Sequence, residues 1–90
     1  MVDDQSESLL KFPGEFIIKT FGHASDEYEI AVMAIIRKHV SDLRENCLRA
    51  RPSKDGKYLA LTITLTVTSR EQLDSIYRDL STHPLILMAL

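Results

Sequence analysis

The sequence contains few of the residues that mark secreted or membrane-spanning proteins. Cys47 is the only cysteine, so no intrachain disulfide can form and a reducing compartment is expected. No apolar run approaches the roughly 20 residues that a membrane span needs. The acidic and polar start of the chain is the opposite of a secretory signal. We therefore expect a cytoplasmic protein that has no membrane partner.

Charge of neither sign is in large excess. The chain has 13 acids and 11 bases, for a formal net charge of -2, and its first eight residues carry Asp3, Asp4 and Glu7 but no base. The remaining chain is close to neutral, without the basic excess typical of nucleic-acid-binding domains. The sequence thus predicts no nucleic-acid partner, an acidic tail without ordered structure over residues 1–9, and one domain over residues 10–90.

The most informative pattern lies in residues 51–80, where the apolar period changes from that of a strand to that of a helix. Asp55 and Gly56 predict a hairpin turn. A strand with strict alternation follows over residues 58–67, and one of its faces is apolar: Leu59, Leu61, Ile63, Leu65 and Val67. Thr68 and Ser69 then begin an amphipathic helix with a second apolar set: Leu73, Ile76, Tyr77 and Leu80.

Weaker patterns supply the remaining elements. Residues 16–21 predict strand one, and Ser25 is a natural N-cap for a helix that reaches about Val40. Residues 44–51 predict a charged edge strand, and residues 85–90 predict a fourth, apolar strand. The order β-α-β-β-α-β predicts an α+β, ferredoxin-like fold. This fold has a four-stranded antiparallel sheet of order 4-1-3-2 with two helices on one face.

One end of the predicted sheet collects a glycine, a helix start and several bases. Strand one, helix one and the turn between strands two and three meet there, and they carry the candidate ligand-binding residues: Gly22, His23, Ser25, Arg51, Lys54 and Lys57. Free amides at a helix N-terminus beside basic side chains attract a small anion. Asp26 and Glu27 oppose one, because they already occupy that terminus. An ordinary solvated turn is the competing interpretation.

The sheet face that the helices leave uncovered is expected to be partly apolar. The candidate interface residues on this face are Ile17, Phe21, Tyr58 and Ala60. Exposed apolar patches commonly mark interfaces, and a chain of 90 residues buries only a modest core. We therefore expect self-association, as in a homodimer, although many monomers expose scattered apolar groups.

Several activities that this fold hosts in other proteins lack their residues here. An RNA-recognition module stacks bases on outward aromatic side chains of strand three, where this chain offers only Tyr58. The loop over residues 22–27 has neither the arginine of an acylphosphatase nor the Cys-x-x-Cys of a copper chaperone. His23 and His83 have no carboxylate or cysteine spaced to complete a metal site. The sequence therefore predicts no cofactor and no metal.

A set of residues spread along the chain resembles the YbeD family of small bacterial proteins. The set comprises Phe12-Pro13, Phe16, Lys19, Gly22, residues 37–39, Arg51-Pro52-Ser53, Gly56, Tyr58, residues 62–64, Thr68-Ser69, Glu71-Gln72, Tyr77, Leu80 and Leu90. The resemblance covers about residues 10–90 and carries over no catalytic residue. It implies a ferredoxin-like fold similar to that of ACT domains, which are regulatory modules that bind small effectors and pair side by side or face to face.

The resemblance also gives two explanations of Gly22. In ACT domains a glycine in the loop after strand one lets a ligand approach the backbone, and Gly22 occupies that loop. The alternative is that Gly22 supplies a backbone conformation with positive φ.

Two interpretations of function stay open. The first is a non-enzymatic regulatory module that acts by self-association and by binding a small anionic effector or a partner protein. The second is a pure protein–protein interaction domain that docks onto an enzyme. An enzymatic activity is disfavoured, because no acid–base pair and no nucleophile with its base is placed in a credible cleft.

Overall fold

Four strands and two helices alternate along residues 11–90, which are the residues that the computed structural model describes. The strands are β1 (Gly14–His23), β2 (Leu48–Pro52), β3 (Tyr58–Val67) and β4 (Met88–Ala89), and the helices are α1 (Asp26–His39) and α2 (Arg70–Thr82). The strands form one antiparallel sheet of order β2-β3-β1-β4. The predicted ferredoxin-like fold is confirmed. The predicted tail over residues 1–9 lies outside the described residues.

The pairing of β1 with β3 is the longest in the sheet. It joins ten residues of each strand, from Gly14 opposite Val67 to His23 opposite Tyr58. Side chains alternate between the two faces of a strand, so each strand presents every second residue to the helices. Ile18 and Ile63 pair at the centre, and both are fully buried. The core therefore lies between one face of the sheet and the two helices.

Two predicted strands are too long. The prediction placed strand two over residues 44–51, but β2 begins only at Leu48. The preceding residues form a turn instead, in which the N–H of Cys47 donates to the carbonyl of Arg44 at 3.2 Å. The prediction placed strand four over residues 85–90, but β4 contains only Met88 and Ala89. A turn that joins Ile86 N–H to the carbonyl of His83 at 3.1 Å uses the first residues of that segment.

Strand one is longer than predicted, because β1 follows the whole length of β3 and reaches residues 14–23 rather than 16–21. Both helix starts agree with the prediction. The Ser25 hydroxyl accepts the N–H of Tyr28, and the Ser69 hydroxyl accepts the N–H of Gln72, each at 3.1 Å. These bonds satisfy amides that the first turn of a helix leaves without an internal acceptor.

Polar contacts join the end of α1 to α2. The Nε2–H of His39 donates to Oδ2 of Asp79 at 2.6 Å, and Lys38 Nζ lies 3.3 Å from the same oxygen. The side-chain amide of Gln72 donates to the backbone carbonyl of His39 at 2.7 Å. That carbonyl belongs to the last turn of α1, where no helical N–H remains to reach it. These contacts hold the two helices against the same face of the sheet.

We expect Asp79→Asn to lower the stability of the fold in a pH-dependent way. The hydrogen bond from His39, with the neighbouring Lys38, holds the pKa of the Asp79 carboxyl below its ordinary value of 3.8. The folded state therefore favours the ionised form, and its contribution is present above about pH 4 and is lost as pH falls through the depressed pKa. Urea denaturation should show a smaller difference in unfolding free energy between wild type and variant near pH 3 than near pH 7. A difference independent of pH would contradict this account.

We expect Ile63→Ala to destabilise the domain strongly and Thr64→Ala to have a small effect. Ile63 is fully buried, and truncating such a residue costs about 2–5 kcal/mol of unfolding free energy. Thr64 lies on the opposite face and is half-buried, and changes at such surfaces stay within about 0.5 kcal/mol. Urea melts of both variants measure the difference. Equal losses would mean that Thr64 carries packing that its position does not suggest.

Candidate functional site

The end of the sheet that holds the β2–β3 turn, which we call the hairpin end, brings together several of the predicted ligand-binding residues. His23 pairs with Tyr58 across β1 and β3, and the two rings lie 4.9 Å apart between centroids. The N–H of Ala24 donates to the carbonyl of Lys57 at 2.9 Å, so the start of α1 sits beside the β2–β3 turn as expected. Lys54 and Lys57 are exposed in that turn.

Groups of this chain already use the polar atoms at the hairpin end. The Ser25 hydroxyl accepts a helix amide, and the carboxylate of Asp55 accepts the N–H of Lys57 at 3.1 Å and the hydroxyl of Ser53 at 2.8 Å. The bond from Lys57 N–H is the main reason why the pKa of Asp55 lies below its ordinary value. This local anion stands beside the two lysines. The small-anion site therefore stays a prediction, because the Asp55 carboxylate lies close to the lysines that would hold the anion.

Gly22 is buried, and it lies where two parts of the chain approach closely. A Cβ added there would lie 2.7 Å from two ring carbons of Tyr28 and 2.7 Å from the carbonyl oxygen of Leu85. Among the glycines of residues 11–90, only Gly56 has a positive φ, at 75°. The explanation of Gly22 by positive φ is therefore wrong. The residue is a glycine because α1 and the segment before β4 pack directly against it.

The neighbour of Gly22, Tyr28, carries the buried polar contact of this end of the molecule. Its hydroxyl lies 2.7 Å from the hydroxyl of Thr20, and both residues are fully buried. Burial raises the pKa of Tyr28, so this phenol stays neutral. No buried side-chain nitrogen or oxygen in the described chain lacks a partner. Because both hydroxyls have a hydrogen-bond partner, the contact is a structural link between β1 and α1.

The histidines have separate surroundings. His23 lies beside the tilted ring of Tyr58, whereas His83 follows the end of α2 and its Nδ1 accepts the N–H of Leu85 at 3.1 Å. Residues 11–90 contain no group of three or more histidine, cysteine or acidic side chains arranged to hold a metal ion.

The sheet face opposite the helices, which we call the open face, carries all four predicted interface residues. Directly opposed residues of an antiparallel sheet point to the same face, so the register assigns them in rows. One row crosses the sheet from β2 to β4 through Arg51, Ala60, Phe21 and Met88. Ile17 and Tyr58 are 60% and 44% exposed, whereas Phe21 and Ala60 are half-buried.

Three bases also lie on the open face. Arg49 pairs with Thr62, and Thr62 pairs with Lys19, so these residues form the row next to that of Arg51. We call Lys19, Arg49 and Arg51 the basic cluster. No acid of residues 11–90 forms an ion pair with any of them. The one acid that the strands place on this face is Glu15, opposite Thr66.

The grouping of Lys19 with the two arginines was not predicted from the sequence. The signal in the sequence is the spacing of Arg49 and Arg51, which lets both point to one face of a strand. That spacing alone does not say which face. The pairing of β2 with β3 supplies the answer, because Arg49 lies opposite the outward-facing Thr62.

A shallow hollow of about 450 Å³ adjoins the basic cluster. Its floor includes Ile17, Thr62 and Thr64, and the segment before β2 forms its wall. Charged groups of both signs surround it: Glu15, Asp42, Arg44 and Arg49. The balance of charge gives the hollow no preference for an anion, and it shares Arg49 with the basic cluster.

Comparison with known proteins agrees with the resemblance seen in the sequence. Residues 7–90 match a family described as "Protein of unknown function (DUF493)". The chain belongs to this family. It is the YbeD family indicated by the residue pattern.

Named relatives match almost from end to end. A UPF0250 protein of Janthinobacterium sp. (strain Marseille) is 42% identical, over 92% of this chain and 91% of the relative. A UPF0250 protein of Chromobacterium violaceum is 39% identical, over 99% and 100%, and one of Neisseria gonorrhoeae is 37% identical, over 97% and 96%. The names of these YbeD relatives state no activity. Neither helix of residues 11–90 has both the length and the apolar character needed to cross a membrane.

We expect Gly22→Ala to destabilise this YbeD-family domain by about 1–3 kcal/mol, the usual cost of adding a methyl group to a packed site. The new Cβ would collide with the Leu85 carbonyl, a backbone atom close to the Leu87 N–H that bonds to Phe21 at 2.8 Å. Urea denaturation measures the loss. Wild-type stability in the variant would show that residues 85–87 move freely and that close packing is not the reason for the glycine.

Proposed function

We propose that this protein is a small, non-enzymatic regulatory module and that the open face of its sheet binds a partner protein in the cytoplasm. The observation that carries the proposal is the composition of that face. It combines exposed apolar side chains with the basic cluster, which has no acid partner within residues 11–90. Specific interfaces combine apolar contact area with charges that orient the partner.

The apolar part of the open face borders the basic cluster on β1 and β4. Its members, which we call the apolar rim, are 52–60% exposed: Ile17, Met88 and Leu90. Leu90 is tied to Lys19 by two backbone hydrogen bonds of 2.9 and 2.7 Å, which hold it beside the basic cluster. Large apolar side chains grouped in water favour burial against another molecule. The rim therefore supplies apolar contact area, and the bases orient the partner.

A second copy of the chain fits the centre of this face poorly. Lys19 lies in the middle of the row that runs from Arg49 to Leu90. A two-fold axis through the centre of two stacked faces would bring Lys19 close to its counterpart, with the arginines nearby. Juxtaposed like charges in an interface cost several kcal/mol. Homodimerisation through the face, predicted from the apolar residues alone, is therefore the weaker proposal.

Binding of a small anionic effector at the hairpin end also has less support. The Ser25 hydroxyl is occupied by a helix amide, and Asp55 places a carboxylate beside Lys57. A non-enzymatic role agrees with the state of the buried groups, since Thr20 and Tyr28 satisfy one another. Neither the hairpin end nor the Thr20–Tyr28 contact provides an activated nucleophile or an acid–base pair.

Site-specific photo-crosslinking in living cells tests the proposal. Benzoylphenylalanine placed at Ile17 reports on the open face, and the same probe at Ile30 reports on the outer surface of α1. These two isoleucines form a matched pair because they are 60% and 67% exposed. We expect position 17 to give a discrete cross-linked partner that position 30 does not give. Adding Arg51→Glu to the probe at position 17 should reduce that product by about tenfold, as for a lost charge contact.

Two results would overturn the proposal. One is a cross-link at position 30 with none at position 17, which would transfer the docking surface to α1. The other is a product at position 17 with the mass of two copies of this chain, which would restore the homodimer as the better interpretation.

A further inference from the structure

We infer that the partner presents an acidic segment with interspersed apolar residues, whose carboxylates contact the basic cluster and whose apolar side chains cover the apolar rim. This inference rests on the proposed function, because it names the chemistry of the partner that the open face binds. Free small carboxylates lack the apolar groups that the rim would bury, so the inference commits to a polypeptide segment.

The unsatisfied charge of the open face is the first argument. Two bases elsewhere in the described chain lie beside acids, Lys38 beside Asp79 and Arg70 beside Asp74. The basic cluster places three cations in two adjacent rows with no such neighbour. The remaining described acid of the face, Glu15, pairs with Thr66, two rows beyond Lys19 on the same face. A surface of this sign attracts carboxylates from another molecule.

The spacing of the bases is the second argument. Arg49 and Arg51 are two residues apart on β2, which places their Cα atoms about 7 Å apart on one face. Lys19 is two strands away from Arg49, a separation of about 10 Å. An extended peptide repeats its same-face side chains at the same interval of about 7 Å. Acids at every second position can therefore reach both arginines, and guanidinium groups bind carboxylates through paired hydrogen bonds.

The chemistry of the face also argues against single-stranded RNA, which uses the same surface in RNA-recognition modules. Those modules stack bases on aromatic side chains at the centre of the sheet. Here Ala60 and Thr62 occupy the centre of β3, Phe21 beside Ala60 on β1 is half-buried, and the ring of Tyr58 lies 4.9 Å from that of His23 at the end. The rim is aliphatic, which suits leucine or valine side chains better than bases. The acidic segment is thus the occupant that these residues favour.

Fluorescence anisotropy with synthetic probes tests the inference directly. The probe is a labelled peptide about 12 residues long, enough to span the face at about 3.3 Å per residue, with Glu at successive same-face positions in one half, Leu or Val at the same-face positions of the other half, and Ser between them. We expect it to bind, with affinity falling at least about tenfold between about 50 and about 300 mM salt as the charges are screened. Amide shifts in NMR spectra should concentrate at residues 17–21, 49–51, 60–62 and 88–90.

Charge-reversal variants supply the matched comparison. Lys19→Glu and Arg49→Glu should each weaken binding of the Glu peptide by about tenfold or more, as loss and reversal of a charge contact predict. Lys38→Glu reverses an exposed lysine on α1, outside the open face, and should leave the affinity within about threefold. Thermal unfolding of each variant confirms that the domain remains folded, and two cluster positions are used so that one unstable variant does not decide the result.

Three outcomes overturn the inference. The first is that the same peptide with Lys in place of Glu binds equally well. The second is that Lys38→Glu weakens binding as much as Lys19→Glu does. The third is that a single-stranded RNA of about 12 nucleotides binds more tightly than the Glu peptide. These outcomes are distinguishable from failure of the proposed function. A cross-link at Ile17 without binding of the Glu peptide removes only the acidic partner, whereas loss of the cross-link at Ile17 removes the docking face itself.

Discussion

The antiparallel pairing of β1 with β3 is the constraint on which the rest of this structure depends. Ten residues of each strand pair without interruption, so the orientation of one strand dictates that of the other. A shift of one residue would exchange the two faces of a strand. A shift of β1 would place Lys19 among the helices and expose Ile18, and a shift of β3 would do the same to Thr62 and Ile63, although both isoleucines are fully buried. Burial of these isoleucines thus holds the register, and the register positions the open face.

The two helices cover only one side of that sheet, so the core and the exposed groups lie on different faces. The covered side holds the core, the Thr20–Tyr28 bond and the close packing at Gly22. The open face contains exposed apolar groups and bases that no acid of residues 11–90 neutralises. The presence of these apolar groups and bases on one face is the physical basis for proposing that it binds a partner.

Much of the fold was predictable because its signals are local. Alternation over residues 58–67 revealed β3 and its two faces, and Ser25 and Ser69 correctly marked the helix starts. The bounds of β2 and β4 were predicted less well, because turns take the flanking residues of both edge strands out of the sheet. The turn at Arg44 and Cys47 and the turn at His83 and Ile86 shortened both strands. Pro84, at the second position of the turn from His83 to Ile86, is the local signal of that turn.

The candidate site residues were likewise predictable only in part. The interface residues Ile17, Phe21, Tyr58 and Ala60 were predicted to share a face, and the register places them on it, because side-chain parity within a strand is a property of the sequence. The grouping of Lys19 with Arg49 was not predicted. It depends on a strand from a distant part of the chain pairing through Thr62 in one particular register.

The sequence by itself determined the order of the elements, the apolar side of each long strand and helix, and the helix starts, because periodicity and capping act within a few residues. Tertiary structure alone decided which distant residues became neighbours. It placed Tyr28 and Leu85 against Gly22, and it brought three bases of β1 and β2 together on one face. Close approach and cross-strand register are set by packing between segments far apart in the chain, and no local pattern encodes them.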